Sequence, residues 1–127
     1  MSNRTVIHSE NAPKAIGPYS QGIRTGNLIF CAGQTPILPA TGELIVGEIE
    51  AQTRQVLNNL KAVLEAADTD MDKVVKTTVF MTNLGDFARM NAVYAEFFPV
   101  NPPARSTVQV SALPRGAQVE IECVAIV

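Results

Sequence analysis

Arg105, Glu120 and Glu122 are the residues of this sequence whose types and spacing best suit chemistry. An arginine fork grips a small carboxylate through two parallel hydrogen bonds, which the point charge of a lysine does not reproduce. A carboxylate held nearby activates water as a general base. Together they suit hydrolysis of a small electrophile that itself carries a carboxylate. The same pattern also fits a cross-strand ion pair, Arg105 with Glu120 or Glu122, that only decorates a sheet, and the pattern alone leaves both readings open. Tyr19 follows the rigid pair Gly17-Pro18. It either faces a site or packs at a loop–strand junction.

Other chemistries have little to work with. The single histidine, His8, leaves no partner set for Ser-His or Cys-His catalysis. No CxxC, HExxH or other metal-ligand spacing occurs, so no metal is expected. Gly33-Gln34 after an apolar run is too short to be a phosphate-cradling loop. Cys31 and Cys123 sit inside apolar stretches and read as buried, reduced core thiols.

The elements that must position these residues follow from periodicity. Residues 5–8, 20–24 and 28–32 read as strands, the last two joined by a turn at Thr25-Gly26-Asn27. Ile49, Val56, Leu57, Leu60, Val63, Leu64 and Ala67 recur at helical spacing and predict a helix over 48–67. A β-branched run predicts a strand over 74–82, and Asn83 can cap a second helix that must stop before Pro99. Residues 105–111 and 118–127 alternate as strands, with Leu113-Pro114-Arg115-Gly116 as the turn between them. Pairing these two as a hairpin by their apolar faces puts Arg105, Thr107, Glu120 and Glu122 on one polar sheet face. The helices then cover the apolar face, and the polar face is left for water or another subunit.

Composition narrows the classes of function. The chain has 127 residues, enough to bury a core, and neither linker nor repeat divides it, so one domain over 1–127 is expected. Charged residues make up only 17% of it, which favours an oligomer. The net charge is −2 and the ten Lys and Arg are scattered, which argues against nucleic acid. No stretch reads as a secretion signal or a membrane span, so the cytoplasm is the expected place.

Six stretches in a fixed order carry a resemblance: AIGPYSQ at 15–21, IFCAGQ at 29–34, VKTTVF at 75–80, NAVYAEFF at 91–98, PARSTV at 103–108, and LP at 113–114 with VEIE at 119–122. In these the chain resembles the Rid (reactive intermediate deaminase) family, RidA subfamily, along nearly its whole length. The resemblance implies an α+β fold, a mixed β-sheet with two α-helices on one face, assembled as a homotrimeric barrel like that of chorismate mutase with sites between subunits. It implies hydrolytic deamination of 2-aminoacrylate, 2-iminobutyrate and related imines to 2-oxo acids and ammonia, with no cofactor. It also implies that Arg105 binds the substrate carboxylate and Glu120 activates water. The Thr107 carbonyl helps hold that water, Gly33 lends backbone to the pocket, and Tyr19 closes it. Many relatives have cysteine where this chain has Thr107. Two other functions stay in play: a trimer that binds 2-oxo acids without turnover, and RNA cleavage or translation inhibition.

Overall fold

The computed structural model describes residues 3–127. In chain order these form β1 (Arg4–Ile7), β2 (Gly22–Thr25), β3 (Leu28–Gln34), α1 (Ile49–Ala66), β4 (Val74–Met81), α2 (Phe87–Phe97), β5 (Ala104–Gln109) and β6 (Val119–Ile126). The strands make one sheet in the order β1-β2-β3-β6-β4-β5. All neighbours pair antiparallel except β4 and β5, which run parallel.

Alternation decides which face is covered. On β4 and β6 the odd positions Thr77, Val79, Met81, Val119, Ile121, Cys123 and Ala125 are buried, and Thr77↔Cys123, Val79↔Ile121 and Met81↔Val119 lie side by side in the register. The apolar ones join Leu57, Leu60 and Leu64 of α1 and Met90, Tyr94 and Phe98 of the α2 region in one core. The expected mixed sheet with two helices on one face is therefore the observed architecture. Truncating one of these buried leucines to alanine costs about 2–5 kcal/mol.

Asn83 caps a short 3-10 turn, Leu84–Asp86, by accepting from the Gly85 N–H at 2.8 Å, and α2 begins only at Phe87. Cys31 and Cys123 face each other across β3 and β6, both buried and unbonded as a disulfide. A hydrogen bond with Cys31, together with burial, pushes the Cys123 thiol far above its ordinary range, so it stays protonated.

The hairpin expected from 105–111 and 118–127 does not form. β4 lies between β5 and β6, and β5 pairs with β4 in the register Thr77↔Arg105, Val79↔Thr107. A strand, an eleven-residue helix and a second strand make a βαβ unit, whose strands must pair in parallel. The chain then crosses β4 through the turn at Pro114–Gly116, and β6 fills the gap between β3 and β4.

The face away from the helices is not the purely polar one expected. It carries Glu120, Glu122, Lys76, Thr78 and Ser106, but also Val6, Phe30 and Val108, which are 60%, 45% and 42% exposed.

Candidate active site

A cleft of about 620 Å³ opens on the sheet beside β3 and β6, lined among others by Tyr19, Gly33, Glu120, Glu122, Lys14 and Arg115. Its size suits a small-molecule ligand. Two buried amides of α1 fix one wall. Asn59 donates to the carbonyls of Thr35 and Ile37 at 3.1 and 2.9 Å, and Gln52 donates to Ile45 O at 2.9 Å while accepting from the Gln118 N–H at 2.8 Å. The other wall is the loop 13–21, pinned by buried Gln21, which donates to Ser9 O and Pro13 O at 3.1 and 2.8 Å. Gly17 takes φ +118°, a left-handed conformation that a side chain disfavours, and the turn there presents Tyr19 half-exposed at the cleft.

Glu120 stands on β6 opposite an irregularity in β3, where the pairing shifts between Cys31 and Gln34. Gly33 sits in that bulge. A Cβ added there would run into the Glu120 Oε2 and come within 2.9 Å of its Cδ and 3.1 Å of its Cγ. Bulges re-aim side chains beside functional sites, and this one leaves room for a carboxylate to lie down over the backbone. Burial pushes the Glu120 carboxyl above the usual carboxylate range, and the negative charge of Glu122 adds to the effect. The group is thereby suited to accept a proton nearer neutral pH.

Arg105 lies elsewhere. Position 105 pairs with Thr77, so its side chain is on the helix-covered face, and Thr107 likewise pairs with Val79. Glu120 pairs with Phe80 and Glu122 with Thr78, on the open face. The expectation that all four share one face is thus corrected: within one chain the arginine and the carboxylates are on opposite sides of the sheet. The cause is again the parallel pairing, together with polar partners on α2 that receive Arg105. The guanidinium donates to Asn91 Oδ1 at 2.7 Å and rests on the rings of Tyr94 and Phe87, 4.7 and 5.3 Å from their centroids. It borders a separate hollow of about 460 Å³. The Thr107 hydroxyl is buried without a hydrogen-bond partner among the described residues.

The sequence expectations omitted Lys14, Arg115 and Asn91. Asn91 had a signal: it is the one amide in the series Phe87, Asn91, Tyr94, Phe98, spaced to share one helix face. Arg115 adopts φ 59° in its turn and donates to Gly42 O at 2.8 Å, a tertiary contact that local pattern does not announce. Among the described residues no three His, Cys, Asp or Glu side chains cluster so as to hold a metal ion, and no helix is long and apolar enough to cross a membrane.

Residues 9–127 match the family model described as endoribonuclease L-PSP. The 2-iminobutanoate/2-iminopropanoate deaminase of Escherichia coli is 49% identical over 94% of this chain and 95% of its own length. Two solved structures show the same fold. The Rid-family protein YyfA of Yersinia pestis superposes with a TM-score of 0.95 at 54% identity, covering 98% of this chain and 99% of that one. TdcF of E. coli, solved with bound serine, superposes with a TM-score of 0.93 at 42% identity, covering 97% and 98%. With nearly its whole length matched in sequence and in fold, this chain belongs to the endoribonuclease L-PSP family, the family of the Rid proteins.

Proposed function

We propose that the protein hydrolyses reactive 2-imino acids, such as 2-iminobutyrate and the imine of 2-aminoacrylate, to 2-oxo acids and ammonia, in the cytoplasm and without a cofactor. The observation that carries this reading is Glu120, half-buried in the cleft over Gly33, with its carboxyl pushed toward neutrality. The deaminase named among its relatives supports the same chemistry.

The working unit is a homotrimer with sites between subunits. Two features support it: Arg105 and Glu120 lie on opposite faces of one chain, and the open sheet face exposes Val6, Phe30 and Val108. Apolar side chains exposed across an open sheet face favour a second protein surface over water. A neighbouring copy brings its Arg105 to the cleft and grips the substrate carboxylate. Glu120 takes a proton from water as the oxygen bonds to the imine carbon. The protonated carboxyl gives that proton to the nitrogen, forming a carbinolamine. Glu120 then takes the carbinolamine hydroxyl proton and passes it to the amine, so that the C–N bond breaks as the C=O forms, and ammonia leaves with a 2-oxo acid remaining. An imine beside a carboxylate is already electrophilic, so orientation and one proton transfer are a sufficient catalytic contribution. Tyr19 closes the cleft, and the Thr107 backbone helps hold the water.

The test is formation of 2-oxobutyrate from 2-iminobutyrate generated in situ, with and without the protein, beside incubation with RNA at two salt concentrations. Acceleration of imine hydrolysis with intact RNA is the expected result. Binding of 2-oxobutyrate without acceleration identifies a non-catalytic binder, and RNA cleavage identifies a ribonuclease; either outcome overturns the proposal.

A further inference from the structure

Arg105 is an arginine held by a neutral partner. Its one side-chain hydrogen bond among the described residues goes to the amide oxygen of Asn91, at 2.7 Å. No aspartate or glutamate pairs with it among the described residues, whereas Arg54 pairs with Glu96 and Arg89 with Glu50 across α1 and α2, Arg89 also reaching Glu48 and Asp86. The plane of the guanidinium is settled by Tyr94, 4.7 Å away, and that ring is itself tied down by a 2.7 Å hydrogen bond between its hydroxyl and Thr77. Phe87 adds a second ring at 5.3 Å. One donor and the ring-facing surface are therefore engaged, and the remaining N–H groups of the fork carry no partner among the described residues.

We infer that Asn91 is a positioning residue for anion recognition: it fixes the Arg105 guanidinium for a bidentate grip on a carboxylate while leaving its positive charge uncompensated. This rests on the reading of Arg105 as the carboxylate clamp. The choice of amide over acid follows from electrostatics. An aspartate here offers the same acceptor atom at the same reach, but it forms an ion pair that competes with an incoming anion. A neutral amide orients without competing. The aromatic faces do likewise, since a ring quadrupole attracts the cation but carries no net charge. The site thus spends hydrogen bonding and ring contact on orientation and reserves charge for the ligand.

The experiment compares wild type, Asn91→Asp, Asn91→Ala and Arg105→Ala by calorimetric titration with 2-oxobutyrate, by kcat and KM on 2-iminobutyrate, and by thermal midpoint. Asn91→Asp is expected to raise Kd and KM by about 10-fold or more, with kcat changed far less and the thermal midpoint held or raised. A residue of merely structural importance does not give that split. Asn91→Ala loses the fixed orientation and is expected to weaken binding several-fold. It also carries the test if the aspartate variant does not fold, because Asn91 is only partly buried. Arg105→Ala distinguishes the two ideas. If it binds 2-oxobutyrate as wild type does, the clamp reading falls and the Asn91 assignment falls with it. If Arg105→Ala loses binding while Asn91→Asp or Asn91→Ala keeps wild-type Kd, the assignment of Asn91 alone is overturned.

Discussion

The carboxylate of Glu120 occupies the space that a side chain at position 33 would fill. A methyl group added to Gly33 meets the Glu120 Oε2 and approaches its Cδ to 2.9 Å. Gly33 is thus required for where it lets Glu120 lie, since its own φ is not in the left-handed range. Gly33→Ala should leave the fold intact, because the displaced atoms are the end of a flexible side chain, while lowering kcat by on the order of 10²-fold through a misplaced base. In a Glu120→Gln background the same change should have little further effect; an equal loss in both backgrounds means that Gly33 acts by another route.

Glu120→Gln keeps size and hydrogen bonding but removes the base. Turnover should fall on the order of 10²–10⁴-fold while binding of 2-oxobutyrate persists. Glu122, on the same face of β6 but exposed, is the internal control and should matter less. Steady-state kinetics and calorimetry on both glutamine variants check this, and a dead Glu122→Gln beside an active Glu120→Gln transfers the role to the other carboxylate.

The pH profile follows from the direction of the Glu120 shift. A base must be ionised to act, so kcat/KM should decline on the acid side with a midpoint above the ordinary carboxylate range. Glu122→Gln removes the repelling charge and should move that midpoint to lower pH. The same shift has a stability consequence. An acid whose pKa is higher folded than unfolded binds more protons when folded, so its contribution to stability falls as pH rises between the two values. Glu120→Gln should therefore raise the thermal midpoint at neutral pH, and the gain should vanish in acid below the unfolded pKa.

Arg105→Lys and Glu120→Gln offer a direct test of a site shared between subunits. Each alone should be nearly inactive, the first because lysine cannot make the two-pronged grip. Unfolded together and refolded as a mixture, they should regain activity, because on the order of a quarter of randomly assembled sites receive an intact arginine from one chain and an intact glutamate from its neighbour. Sedimentation equilibrium of the parent should show a trimer. A mixture that stays inactive while assembling argues that both groups work within one chain.

Much of this architecture is legible in the amino-acid sequence. The helix read from Ile49, Val56, Leu57, Leu60 and Leu64 runs over Ile49–Ala66, and the alternation of Val119, Ile121, Cys123 and Ala125 does face the core. The covered side of β5 was not legible. Arg105, Thr107 and Gln109 look like an outer face, because an edge strand has few cues and alternation does not say which side a helix takes. The partners that draw Arg105 inward, Asn91 and Tyr94, lie on α2, and only the parallel β4–β5 pairing brings them over it. Arg105, Glu120 and Tyr19 can be named from the sequence as candidates, whereas Lys14, Arg115 and Asn91 join the site only through tertiary structure, and the division between two faces is a property of strand order.

The place of β6 has a consequence for the history of each molecule. Of the six strands it is the one synthesised after all the others, yet it stands between β3 and β4. Until it emerges from the ribosome, the β1–β3 meander and the β4–α2–β5 unit have no common strand, and each exposes an unpaired edge. Completion of the sheet therefore waits for its last strand and is of long sequence range, a topology associated with slow folding and a vulnerable nascent state. The strand that carries Glu120 is also the one that closes the fold, so a chain that stalls before β6 can neither bury its core nor present its base.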